Sequence, residues 1–324
     1  MTEELLPNLY KIEVPLPRNP LRAINSYVIK DAGRTLIIDT GMNREECLSV
    51  LSAGLKELDV DLKKTDFFIT HVHSDHLGLV SSLVTDTSTV YFNQPESGTT
   101  NKPSSWDRDA DFADSNGFPP DERRKAIENH PGRKYAPQKR LDFHILREGD
   151  TLSIGGYLFS CIETPGHTRG HMCLYETDKK IFISGDHILS DITPNISLTS
   201  DNENPLNDYL NSLDKVYNLD IELILPGHRR SFKNHQKRIK ELKQHHQERA
   251  DEVLIILKGG NKNAYQVASQ MSWDMTYESW ELFPPAQKWF AFGEAVAHLK
   301  YLSEKGEVQK QKQGQNAIYS LKSS

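Results

Sequence analysis

The chain has 324 residues, 37% of them hydrophobic and 26% charged, with a formal net charge of −6. That is enough apolar material for one large domain and a smaller one, and the acidic balance argues against a general nucleic-acid coat. No apolar run approaches a membrane-spanning length, and the start Met1-Thr2-Glu3-Glu4 lacks the basic and apolar segments of a signal peptide, so a cytoplasmic protein without a membrane partner is expected.

In chain order, Asn25-Ser26-Tyr27-Val28-Ile29 and Thr35-Leu36-Ile37-Ile38-Asp39 predict two strands around an Asp31-Ala32-Gly33 turn. Glu45 to Leu58 has helical periodicity through Cys47, Leu48, Leu51 and Leu55. Asp66 to Thr70 is a buried-strand run. A polar, Pro- and Asp-rich stretch from Pro95 to Arg140 then interrupts the pattern, with one short helix predicted from Asp121 to His130. Such an insertion reads either as a lid, in which Trp106, His130 and Tyr135 would face substrate, or as a surface loop. Strands are predicted again at Leu158 to Glu163, Met172 to Tyr175, Lys180 to Ser184 and Ile221 to Leu225.

After Pro226-Gly227-His228 the composition becomes helical and charged. One helix is predicted from Asn234 to Lys258, stopped by Gly259-Gly260, and a second from Ala264 to Met271. A third runs from Pro285 to Lys305, amphipathic through Trp289, Phe292, Val296 and Leu299. Glu307 to Leu321 reads as a hairpin turning at Gln313-Gly314-Gln315. Three helices and a hairpin outline a winged-helix-like domain at 233–324, after a first domain at 1–232.

Cys47, Cys161 and Cys173 show no paired spacing, so buried free thiols are expected rather than a zinc-thiolate site. The thirteen histidines carry the chemistry. Thr70-His71-Val72-His73-Ser74-Asp75-His76-Leu77-Gly78 packs three imidazoles and a carboxylate into six residues directly after an apolar strand. As packing, each group would need its own buried partner; on a loop leaving a strand end they can converge on cations. Three further strand ends repeat the device, each with a glycine and a ligand-type side chain: Pro165-Gly166-His167, Ser184-Gly185-Asp186 and Pro226-Gly227-His228.

With its His-x-His-x-Asp-His motif and these separate His, Asp and His positions, the sequence from Leu5 to about Phe232 resembles the metallo-β-lactamase superfamily. The resemblance implies an α/β fold, an αββα sandwich with the site along one edge of two sheets. It implies that His71, His73 and His167 hold one metal and Asp75, His76 and His228 a second, with Asp186 bridging; Asp75 and Asp186 are the expected catalytic carboxylates. Two divalent ions are expected, zinc first, with iron or manganese as alternatives. Such a pair, about 3.5–4 Å apart, acidifies a shared water and polarises the oxygen under attack, which agrees with the absence of a Gly-x-Ser-x-Gly nucleophile elbow.

Asp39 matches the family's strand-end aspartate and is expected to orient a ligating histidine, with a turn-capping role as the alternative. His171 is expected to support the site and not to ligate. Arg169 stands where the family usually has Pro, and Arg169, Asn195 and Tyr135 are the candidate substrate contacts. His187 is expected to face away, and His245-His246 to make an interhelical hydrogen bond.

The tail around Phe292-Gly293-Glu294-Ala295-Val296-Ala297-His298-Leu299 resembles the lactamase-β-2-like group. The favoured function is hydrolysis of an ester, thioester or similar bond in a small molecule by a hydroxide bridging two metals. The rival is a metal-dependent endoribonuclease or phosphodiesterase on single-stranded nucleic acid, suggested by Lys300, Lys305, Lys310, Lys312 and Lys322. A non-hydrolytic metal-binding or redox protein is the third alternative. A homodimer is a further expectation.

Overall fold

Runs such as Leu36-Ile37-Ile38 and Phe67-Phe68-Ile69 offer no polar face, which suits strands covered on both sides. The computed structural model, which describes residues 2–97, 105–274 and 276–322, places them in that setting. A seven-stranded sheet runs in sequence order: β1 (Thr2–Leu6), β2 (Leu9–Pro15), β3 (Ala23–Lys30), β4 (Thr35–Ile38), β5 (Thr65–Phe68), β6 (Val90–Asn93) and β7 (His144–Leu146). Pairing is antiparallel up to β4 and parallel from β4 to β7.

A five-stranded sheet contains β8 (Thr151–Ile154), β9 (Tyr157–Glu163), β10 (Met172–Glu176), β11 (Ile181–Gly185) and β12 (Leu223–Pro226), in the order β12-β11-β10-β9-β8. Alternate residues of the first sheet serve two cores. Ile12, Val28, Ile37 and Phe67 pack with Cys47, Leu51 and Leu55 of helix α1 (Glu45–Glu57). Tyr27, Ile29, Leu36, Ile38 and Phe68 pack with Phe159, Cys161, Leu174 and Ile183 of the second sheet. Burial of one such side chain contributes about 1.5–3 kcal/mol, so this double use of each strand supplies most of the cohesion. All three cysteines are buried and free, as expected.

The topology also gathers chain ends. β4 and β5 run parallel, while β9 and β11 both oppose β10, and β12 parallels β11. The C-terminal ends of β5, β9, β11 and β12 lead into His71, His167, Asp186 and His228. The Met172 N–H donates to the Thr70 carbonyl at 2.9 Å, tying the two sheets together at this edge.

These elements belong to a first compact unit, Met1–Asn101, Tyr135–Pro194 and Ser212–Arg238; the second is Lys102–Lys134, Asn195–Asn211 and Ile239–Ser324. The chain is therefore not divided once near residue 232, and most of the Pro95–Arg140 stretch joins the second unit. Its Asn101-Lys102-Pro103 portion lies outside the described residues. The short helix expected from Asp121 to His130 is present as α3 (Pro120–Asn129), and the structure adds α2 (Ser105–Ser115) before it.

The physical reason is tertiary. Phe118, 1% exposed, sits among the rings of Tyr265, Trp289 and Phe292 at 5.0–5.6 Å, and Lys288 Nζ meets Glu122 at 3.0 Å. Those partners lie more than a hundred residues away, so local composition does not show them.

Helices α4 (Pro205–Tyr217), α5 (His235–Lys258), α6 (Ala264–Ala268) and α7 (Pro285–Glu304) follow, then the hairpin β13 (Val308–Gln313) and β14 (Asn316–Leu321). The expected order of three helices and a hairpin is present after residue 233. His246 Nδ1 and His298 Nε2 are 3.3 Å apart between α5 and α7, the interhelical bond expected of the histidine pair. Among the described residues no helix is long and apolar enough to cross a membrane.

Candidate metal centre

Beyond β5 the chain continues through Ile69 and Thr70 to His71 and His73, and then one helical turn, Ser74–Leu77, carries Asp75 and His76. His71 Nε2 and His73 Nδ1 are 3.0 Å apart, and His73 Nδ1 and His167 Nε2 are also 3.0 Å apart. Asp186 lies between two groups of imidazoles. Its Oδ1 is 3.6 Å from His76 Nε2, and its Oδ2 is 3.5 Å from His167 Nε2 and 3.4 Å from His228 Nε2. Asp75 Oδ2 is 3.4 Å from His228 Nε2. Three groups thus have ligand atoms within 4.8 Å of one another: His71, His73 and His167; His71, His76 and Asp186; and Asp75, His76 and His228. All seven expected ligands come together.

The opposite edges of three of these rings, those of His71, His76 and His228, are already occupied. Asp39 accepts from the Thr70 N–H at 2.9 Å and its hydroxyl at 2.8 Å, and its Oδ2 lies 2.8 Å from His76 Nδ1. His228 Nδ1 donates to the Ala23 carbonyl at 2.7 Å, and Thr70 Oγ1 is 3.0 Å from His71 Nδ1. Each bond settles which nitrogen faces the centre. His76 Nε2, His228 Nε2 and Asp186 Oδ1 are buried with no hydrogen-bond partner, which a folded chain seldom tolerates without a ligand.

The backbone is shaped to match. A Cβ on Gly227 would lie 2.6 Å from Asp186 Oδ1 and 2.9 Å from His76 Cε1, so only glycine lets this strand end approach so closely. Four ligands at about 2.1 Å around a tetrahedral zinc lie about 3.4 Å apart. The 3.0–3.6 Å separations here are of the size found between ligands of one divalent cation, and the N/O donor set suits zinc, iron or manganese.

The electrostatics point the same way. Burial drives the His71 imidazole well below its ordinary value, reinforced by His76, His73 and His167. Burial and His167 push His73 down to about 3. Neutral imidazole is the ligating form. Burial opposes ionisation of Asp75 and Asp186, but His228 and His76 outweigh it and hold both carboxyls below the usual carboxylate range. In return, and against burial, Asp39 and Asp186 raise His76, and Asp186 and Asp75 raise His228 to about 10. The pocket is built around buried anions that call for a compensating cation.

The other expected residues belong to none of the three groups. His171 accepts from the Asp186 N–H at 3.0 Å through Nε2, which leaves Nδ1 to donate to Thr164 Oγ1 at 2.8 Å, so it supports the Asp186 backbone. His187 is buried 6.2 Å, ring to ring, from His171 and belongs to none of the three groups. Arg169 is exposed on the His167 loop. Tyr135 packs against the α1 core beneath the Arg44 guanidinium, at 5.2 Å, and its carbonyl accepts from the Asn43 N–H. Asn195 belongs to the second unit, where its amide reaches Glu294 at 3.2 Å. His130 lies in the second unit too, against Trp106 and Phe290.

Two further participants carry no sequence signal. Thr70 merely precedes the motif, yet its hydroxyl touches Asp39, His71 and His76. Glu96, in the Gln94–Ser97 helical turn after β6, is buried with its carboxylate on two ligand loops. A lone glutamate carries no spacing signal; a buried one beside a metal motif is legible only in three dimensions.

Known proteins resemble this chain in sequence and fold. A metallo-β-lactamase family protein from Thermus thermophilus superposes with a TM-score of 0.83 at 29% identity, over 98% of this chain and 100% of that one. The chain is 24% identical over 290 residues to a beta-lactamase-like protein 2 homolog of Caenorhabditis elegans, covering 89% of this chain and 81% of the relative. It is 25% identical over 225 residues to a human acyl-coenzyme A thioesterase, with coverages of 64% and 74%. It is 24% identical over 267 residues to an atrochrysone carboxyl ACP thioesterase of Aspergillus fumigatus, with coverages of 78% and 69%. The family described as the metallo-beta-lactamase superfamily matches residues 19–228, the span that holds all seven converging side chains, and the chain belongs to that superfamily.

Proposed function

We propose that this chain is a metal-dependent hydrolase of thioesters, acting on an acyl group carried by a small-molecule or carrier thiol. His71, His73 and His167 would hold one divalent cation and Asp75, His76 and His228 a second, with Asp186 between them; zinc is the first choice, iron or manganese the alternatives. The observation that carries the proposal is the meeting of three imidazole nitrogens at 3.0 Å beside an ionised Asp186 that reaches both groups. Divalent cations held there supply Lewis acidity, polarising a carbonyl oxygen and acidifying water toward neutral pH.

The chain's own groups define the rest. Asp75 stays ionised through the neutral range, so it accepts a hydrogen bond from a water and orients that water's lone pair toward the carbonyl carbon. Thr70 and Asp39 hold the rings in place so that no reorganisation is needed. All seven side chains serve as lone-pair donors, which leaves none of them to protonate a leaving group. A thiol, with a pKa of about 8.5, departs as thiolate without an acid, whereas an alkoxide or amine would need one. Thioesterase names among the relatives support the same choice. Arg169, exposed two residues beyond His167, offers a guanidinium to an anionic portion of such a substrate.

The nuclease alternative drew on basic residues of the tail. Within the second unit, Lys300 Nζ meets Glu304 at 3.0 Å and Lys310 pairs with Asp201, so part of that charge is spent internally. Acyl-coenzyme A, bis(p-nitrophenyl) phosphate and single-stranded RNA assayed side by side test the choice. Thioester turnover should be fastest and nearly indifferent to salt. Dominant RNA cleavage that falls steeply as salt rises from about 50 to 200 mM would overturn it.

A further inference from the structure

Glu96 is 3% exposed, an unusual place for a carboxylate. The helical turn Gln94–Ser97 carries it just past the end of β6, the parallel neighbour of β5, and so to the edge where the His71 loop emerges. Its Oε2 accepts the Val72 N–H at 2.8 Å and its Oε1 accepts the Gly170 N–H at 2.8 Å. Val72 lies between His71 and His73. Gly170 lies three residues beyond His167 and immediately before His171.

One carboxylate therefore spans two loops that leave different sheets, and those loops carry the three nitrogens that meet at 3.0 Å. The seat is built for it: a Cβ on Gly170 would lie 2.7 Å from Glu96 Cγ and 3.1 Å from Cδ. Packing alone would be served better by an apolar side chain, because an internal carboxylate must be fully hydrogen-bonded to be tolerated.

We propose that Glu96 is a positioning residue that sets the spacing of His71 and His73 against His167, by clamping the Val72 and Gly170 amides with its two carboxylate oxygens. This rests on the reading of those histidines as one of two cation sites. Glutamine is the informative replacement. Its single carbonyl can keep one amide, but its NH2 meets the other N–H donor to donor.

Metal-free wild type and E96Q are titrated with Co2+, read by d–d absorption, and with Zn2+ in competition with a chromophoric chelator; H167A identifies which equivalent belongs to the histidine triad. E96Q should lose about 10- to 100-fold in affinity for that equivalent, the loss typical of groups that orient metal ligands. The equivalent at Asp75, His76 and His228 should hardly change. If E96Q does not fold, G170A, which crowds Glu96 from the opposite side, is read in the same way. Wild-type affinity for both equivalents, or parallel weakening of both in step with a lowered unfolding temperature of the metal-free protein, overturns the proposal. Two equivalents bound by wild type together with either result leaves the metal centre standing, whereas a wild type that binds neither ion overturns both.

Discussion

Asp39 Oδ2 lies 2.8 Å from His76 Nδ1, and the same side chain takes both the N–H and the hydroxyl of Thr70. The backbone of Asp39 is left-handed at φ 57, a conformation a non-glycine residue adopts at some cost, so the position is specified and not incidental. Replacing Asp39 with Ala frees the His76 ring to rotate and removes its anionic partner. The expected outcome is a loss of about 10- to 100-fold in metal affinity with a matching fall in kcat. Metal content after dialysis against a chelator series, compared with thermal unfolding, checks it; unchanged affinity would reduce Asp39 to a turn residue.

Gly227 offers a test with no change of charge. Its absent side chain leaves 2.6 Å to Asp186 Oδ1 and 2.9 Å to His76 Cε1, and G227A must displace one of them. Metal retention and turnover should both fall sharply. Activity of G227A close to wild type would mean that Asp186 and His76 need not hold these positions.

Tyr135 is a partly buried support, whereas Arg169 is exposed on the His167 loop, and the two can be tested apart. Tyr135 packs in the α1 core beneath Arg44, so Y135F should leave kcat and KM nearly unchanged. R169A should raise KM for an anionic acyl thioester while metal content stays at the wild-type level. Steady-state kinetics on both variants decides, and an effect of Y135F on KM alone would restore Tyr135 as a substrate contact.

The second unit contains a pH-sensitive core. His298 is fully buried, and burial, with Arg249 and His245 adding to it, lowers its pKa from 6.5 to about 4 despite the Glu294 carbonyl that accepts from Nδ1 at 2.9 Å. Its Nε2 must stay unprotonated to accept from His246 at 3.3 Å. The folded-state value lies below the unfolded one, so the unfolded chain takes up the proton first. Stability is complete above about pH 6.5 and is lost as pH falls toward about 4, by about 2 kcal/mol at pH 5. Denaturant unfolding at pH 7 and pH 5 should show that loss, and H298N should reduce the pH dependence. An equal slope in H298N would assign the effect to other groups.

The contrast between what was legible in the sequence and what was not has a physical basis. His71, His73, Asp75, His76, His167, Asp186 and His228 stand at strand ends in residue types that packing does not favour, so their purpose shows in one dimension. The strands that present them show too, because Leu36-Ile37-Ile38 of β4 and Phe67-Phe68 of β5 are buried apolar runs. Helix α3 shows as the short helix expected from Asp121 to His130, whereas α2 does not, and the partners that Phe118 and Glu122 meet across the fold leave no local signal. Glu96 is hidden for the same reason, because its partners Val72 and Gly170 lie on loops far from it in sequence.

On the proposed function, thioester hydrolysis would depend on cations held by these seven residues. The most direct measurement is acyl-coenzyme A turnover by the full chain after chelation and again after titration with Zn2+, alongside D186A treated identically. Turnover should vanish on chelation, return in proportion to metal up to two equivalents, and never appear in D186A. Undiminished turnover by the metal-free protein, or by D186A, would contradict the account.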